Sequence, residues 1–145
     1  MAHWLHAIVG RPAPLAGLAE RHEAARVVDL PQGYAMVPLT DALLAKVDAA
    51  AIAAELSAAG PVAIVTTNYF GGTGAQSAEV WQHGRRTLGP LSASTDDADR
   101  ATWPEVGPIN QVLRAIGVEA AGEWDAFDAL GLGRFRDTER AGGDA

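Results

Sequence analysis

The chain contains no cysteine, which excludes disulfides, thiol catalysis and thiolate metal sites. It has one lysine, Lys46, against ten arginines, so no lysine stands near a glycine-rich loop to complete a phosphate-binding loop. No segment approaches the roughly 20 consecutive apolar residues of a membrane span. Met1 to Gly10 has no basic stretch leading into a long apolar run and does not read as a secretory leader, so a cytoplasmic location is expected, away from any membrane. Positive charge is also scarce: the formal charge is −7, which argues against nucleic acid as a direct ligand.

What is present is enough apolar material for one core. Of 145 residues, 48% are hydrophobic, too many for a disordered chain. Alanine and glycine dilute the larger apolar residues, so a close-packed core poor in aromatics is expected. No internal repeat or composition break marks a linker. The expected organisation is a single globular domain over residues 1–139, with a frayed tail over 140–145.

His3 to Val9 (HWLHAIV) reads as a first strand, with Trp4, Leu5, Ile8 and Val9 available for burial, ended by Pro12 and Pro14. A short helix is expected over Leu15–Ala25. Arg26–Val28 and Tyr34–Val37 are short β-type runs around a turn at Leu30–Gly33. The stretch Asp41–Ala59 is helical in composition, but its apolar stripe does not stay in register. At about 100° per residue, Ile52 and Leu56 fall opposite Leu43, Leu44 and Val47. Two helices resolve the conflict, the first capped by Thr40 or Asp41 and the second by Asp48.

Val62–Phe70 (VAIVTTNYF) is the clearest strand and is expected to be central. Gln76–Gln82 alternates and should pair with Arg85–Leu91 through a hairpin at His83-Gly84. Pro108 should open a helix carrying Ile109, Val112, Leu113 and Ile116, and Glu123–Leu130 a second one. The expected fold is α+β: an antiparallel sheet centred on residues 62–91 with short helices packed on one face. A parallel βαβ arrangement is the alternative, and the hairpin argues against it.

Two constellations are candidates for function. The first is the run Tyr69, Phe70, Gly71, Gly72, Thr73, Gly74 and Gln76, whose glycines allow positive φ and close backbone approach. It lacks both the GxxxxGK[ST] and the GxGxxG spacing, so a glycine-rich hairpin or bulge is the plainer reading. The second is an acidic stretch. Between Asp96 and Asp128 eight acids face only Arg100 and Arg114, which places −6 of the total −7 there. Within it, Asp96, Asp97, Asp99 and Glu105, with Trp103 beside Pro104, are the candidate surface for a basic protein partner. Acids in loops are also commonly just a solvated face.

The histidines His3, His6, His22 and His83 form no ligand spacing, and none of the serines sits in a GxSxG elbow. No metal, cofactor or catalytic residue is therefore expected.

The run YFGGTGAQSAEVWQHGRRTLGP, followed by Pro108–Arg114 and Phe127–Leu132, resembles small bacterial proteins of unassigned function. These are similar in size and acidity to immunity proteins of polymorphic toxin systems, and the resemblance covers residues 60–132. It implies a non-enzymatic binding protein that blocks a cognate toxin with a basic surface. The competing reading is a small-molecule-binding domain or enzyme built on the Gly71–Gly74 loop.

Overall fold

The computed structural model describes residues 4–70, 73–94, 108–119, 126–132 and 138. Six strands form one sheet: β1 (His6–Gly10), β2 (Val28–Leu30), β3 (Tyr34–Pro38), β4 (Val62–Phe70), β5 (Thr73–Gln82) and β6 (Arg85–Ser94). Their order is β2-β3-β1-β4-β5-β6, and every pairing is antiparallel. Among the described residues five short helices accompany them: α1 (Pro12–Arg21), α2 (Asp41–Leu44), α3 (Ala49–Leu56), α4 (Pro108–Ala115) and α5 (Ala126–Ala129). The α+β class and the antiparallel hairpin of β5 and β6 are as expected. The expected tail, residues 140–145, lies outside the described residues.

The helices do not share one face, and here the sequence expectation is corrected. Side chains alternate across a strand. In β1, β3 and β4 both sets are buried. Ala7, Val9, Met36, Ala63 and Val65 join the core under α4 and α5. Ile8, Ala35, Val37, Val62 and Ile64 join a second core under α1, α2 and α3. The physical signal is the unbroken apolar composition of AIV, YAMV and VAIV, which is what a strand covered on both sides requires.

The predicted break near Asp48 is present. Thr40 Oγ1 accepts from the Leu43 N–H at 3.2 Å, and Asp48 Oδ2 accepts from the Ala51 N–H at 3.3 Å. Breaking the helix turns Leu43, Ile52 and Leu56 toward the same core, where all three are buried. Burying an Ile or Leu is worth about 1.5–3 kcal/mol, whereas an interrupted backbone hydrogen bond costs about 1 kcal/mol net. The two caps offset much of that cost. Asp48→Ala should destabilise the fold by about 1 kcal/mol in urea unfolding. No change would show that the cap is idle.

Three local departures from the sequence reading have simple causes. Pro12 and Pro14 lie inside α1, in its first turn, where a proline N–H is not needed. Trp4 is 47% exposed, whereas Leu5, Ile8 and Val9 are buried as expected. The turn before β3 tightens into a 3₁₀ turn at Pro31–Gly33. The hairpin residues His83 and Gly84 both have positive φ, 55° and 80°, which matches the twist of the flanking strands.

Candidate binding site

The first sequence candidate occupies the β4–β5 end of the sheet. Tyr69 and Phe70 end β4, and Thr73, Gly74 and Gln76 begin β5, with Phe70 opposite Thr73. Gly71 and Gly72 lie outside the described residues, as do Asp96, Asp97, Asp99, Trp103 and Glu105. The anchors of that acidic segment are described, however. Ser94, the last residue of β6, pairs with Ala75. At the other side of the segment, the Ile109 N–H donates to Gln76 Oε1 at 2.8 Å. Gln76 is buried and satisfies one of the first-turn N–H groups that α4 cannot satisfy itself. Ala75 and Gln76 thus hold both sides of the acidic segment at the sheet end where the glycine-rich run lies.

A second feature was not singled out by sequence. The helices of the second core cover β3, β1 and β4 but only part of the same face of β5, where Trp81 packs against that core and Ser77 and Glu79 stay half-buried. There a cleft of about 310 Å³ is lined by His6, Thr66, Ser77, Glu79, Trp81 and Arg86, with Asp48 and the start of α3 as one wall. Pairing explains the gathering. His6 lies opposite Thr66, Thr66 opposite Ser77, and Glu79 follows two residues later on the same face. Trp81 pairs with Arg86 across the β5–β6 hairpin. The wall is fixed at its far end, because Ser57, just after α3, binds the hairpin turn. The His83 N–H donates to the Ser57 carbonyl at 3.0 Å and the Gly84 N–H to Ser57 Oγ at 2.9 Å.

Within the cleft, Glu79 is the central acceptor. Its Oε2 accepts from the Trp81 indole N–H, and Arg86 Nη1 stands 3.9 Å from the same oxygen. That distance is an ion pair without a close hydrogen bond. Glu79 keeps 20% of its side chain exposed and Arg86 46%, so the pair is solvent-screened on the Arg86 side.

Burial pushes the His6 imidazole below its ordinary value near 6.5, and the Glu79 carboxylate opposes that shift. Glu79, Asp48 and Arg86 are the charged groups lining the same cleft. The sign of the linkage follows. Above the ordinary value both folded and unfolded chains carry neutral imidazole, and this group adds no pH dependence. As pH falls below it, the unfolded chain takes up the proton first and stability declines until the lowered folded value is reached. His6→Gln should therefore lose less stability than the parent between pH of about 7.5 and about 5 in urea unfolding. Equal losses in the two proteins would show that His6 is not the group responsible.

Among the described residues no group of three His, Asp or Glu side chains is placed to hold a metal ion, and no helix is long and apolar enough to cross a membrane. The cleft was partly legible beforehand: QSAEVWQ alternates, and its polar set Ser77 and Glu79 marks the less covered face. The part played by His6 was not, because it depends on β4 being inserted between β1 and β5. No protein-family model, curated protein or solved structure matches the chain.

Proposed function

We propose that this is a non-enzymatic binding protein, an immunity-type inhibitor that acts in the cytoplasm by capping a basic surface of a toxin. The observation that carries this reading is the joint anchoring of the acidic segment. Ser94 on one side and Ile109 on the other are held by the adjacent residues Ala75 and Gln76. Ser94 and Ile109 flank in sequence the run that contains Asp96, Asp97, Asp99 and Glu105. Charge restricted to one side of a protein steers an oppositely charged partner and raises the encounter rate. The −7 balance of the whole chain supports the same partner chemistry.

The test is direct. The product of the reading frame adjacent to this gene is purified, and its association with this protein is followed at low and at high salt. Binding that inhibits the toxin, with association slowing as salt rises past a Debye length of about 10 Å at 0.1 M, is the expected result. Association indifferent to salt, or a complex that leaves the toxin active, would remove the proposal.

A further inference from the structure

We propose that the cleft on the partly covered half of the second sheet face is a guanidinium pocket that receives one arginine side chain of the basic partner. This rests on the reading above for the identity of the partner, but the pocket is argued from its own lining.

The lining is rich in acceptors. Glu79 contributes a carboxylate, Asp48 a second one whose Oδ2 also caps α3, Thr66 and Ser77 hydroxyl oxygens, and His6 an imidazole. The Trp81 indole N–H is already committed to Glu79 Oε2, which leaves Oε1 of that carboxylate to accept from a ligand. A planar group with five donors fits such a set better than an ammonium, which is a compact point charge. The Trp81 indole adds a surface on which a guanidinium can stack. Two carboxylates line the space against one arginine and the N-terminus of α3, which Asp48 already caps, so the net charge of the lining favours a cation.

The chain's own Arg86 is the second argument. A guanidinium already stands at the rim of the cleft, 3.9 Å from Glu79 Oε2, and is 46% exposed. It marks the preference of the site without filling it, since the distance is too long for a close charge-assisted bond. A partner arginine approaching Glu79 Oε1 would displace or repel it. Size agrees: about 310 Å³ is the lower end of ordinary ligand clefts, about 300–1,000 Å³, and suits one side chain. The surroundings agree as well. Trp4, two residues before His6, is the one large hydrophobic side chain exposed among the described residues, and tryptophan is favoured at interface anchors.

The full chain, labelled with ¹⁵N, is titrated with N-acetyl-arginine amide and, separately, with the uncharged N-acetyl-citrulline amide. The readout is the Trp81 indole N–H resonance, identified by its loss in Trp81→Phe. Saturable binding of the arginine probe in the millimolar range, about 1–10 mM, is expected, with no saturation by the citrulline probe. Glu79→Gln, which keeps an acceptor for the Trp81 indole, should weaken binding about tenfold. Arg86→Ala should tighten it about threefold, because it removes the competing charge from an exposed position. Equal binding of the two probes, unchanged affinity in Glu79→Gln, weaker binding in Arg86→Ala, or no saturation by about 100 mM would each overturn the pocket.

The same variants separate this inference from the partner reading. If the toxin binds with the expected salt dependence and Glu79→Gln leaves that affinity unchanged, the pocket falls and the inhibitor reading stands. If the arginine probe saturates and no basic partner is bound, the inhibitor reading falls and the pocket stands.

Discussion

Asp96→Lys together with Asp97→Lys should slow association with the basic partner by about tenfold or more at low salt, while folding stability shifts by no more than about 0.5 kcal/mol. Each reversal adds two charge units, so the pair takes the net charge from −7 to −3 and does so inside the stretch that holds most of it. Steering acts at long range through the summed field, and therefore appears in the association rate before it appears in dissociation. Stability should be nearly indifferent. Acids in a polar stretch of sequence contribute little to an apolar core. Stopped-flow mixing at two ionic strengths checks both halves of the expectation. The variant should also be less sensitive to salt than the parent. An unchanged association rate would take the acidic segment out of recognition and leave the cleft beside Glu79 as the contact that matters.

How far the sequence could be read depended on whether a feature was local or assembled. VAIVTTNYF, the hairpin at His83-Gly84 and the break before Asp48 were legible because each is decided within a few residues. Apolar composition, positive φ at a two-residue turn, and a helical stripe losing register need no knowledge of distant chain. The distribution of helices over both faces was encoded too, in the uninterrupted apolar runs of β1, β3 and β4. Alternation in β5 is the pattern of a strand with one face less covered than the other. β5 alternates because on that face it is only partly covered, with Trp81 packed against the second core and Ser77 and Glu79 lining the cleft, whereas Val62 and Ile64 of β4 are buried there.

The site was less legible for the same reason. Gln76 was grouped with the glycine-rich run by adjacency, yet its side chain serves α4 through a bond that spans 33 positions. His6 and Glu79 are 73 positions apart in sequence and face one cleft only because β4 pairs with β1 on one side and β5 on the other. No spacing rule within a single element can find such a pair. The acidic excess after Asp96, by contrast, was visible from composition, and the fold adds the partners Ala75 and Gln76 for Ser94 and Ile109, which flank its first four acids in sequence.

Gly89→Ala should cost about 2–4 kcal/mol in urea unfolding. Gly89 has φ of +89°, where an L side chain is strained by about 1–2 kcal/mol. Space is also lacking. An added Cβ would stand 2.8 Å from the Ala78 carbonyl oxygen, 2.9 Å from the Leu91 nitrogen and 3.2 Å from the Glu79 Cα. All three are backbone atoms and cannot swing aside like a flexible side chain. The cause is a register irregularity: Ala78 pairs with Leu91 but Val80 with Leu88, so β6 carries one more residue than β5 across that interval. Glycine lets the bulged strand close up against β5 there. Relieving the clash requires β6 to move, and β6 holds both Arg86 at the cleft and Ser94 at the edge of the acidic segment. Gly60→Ala is the matched control, because nothing lies within 4 Å of its added Cβ and its φ is not positive. It should change stability by no more than about 0.5 kcal/mol in either direction. If the two alanine variants unfold at the same urea concentration, the close approach of β6 to β5 at Gly89 is not what the fold depends on, and the bulge tolerates a side chain.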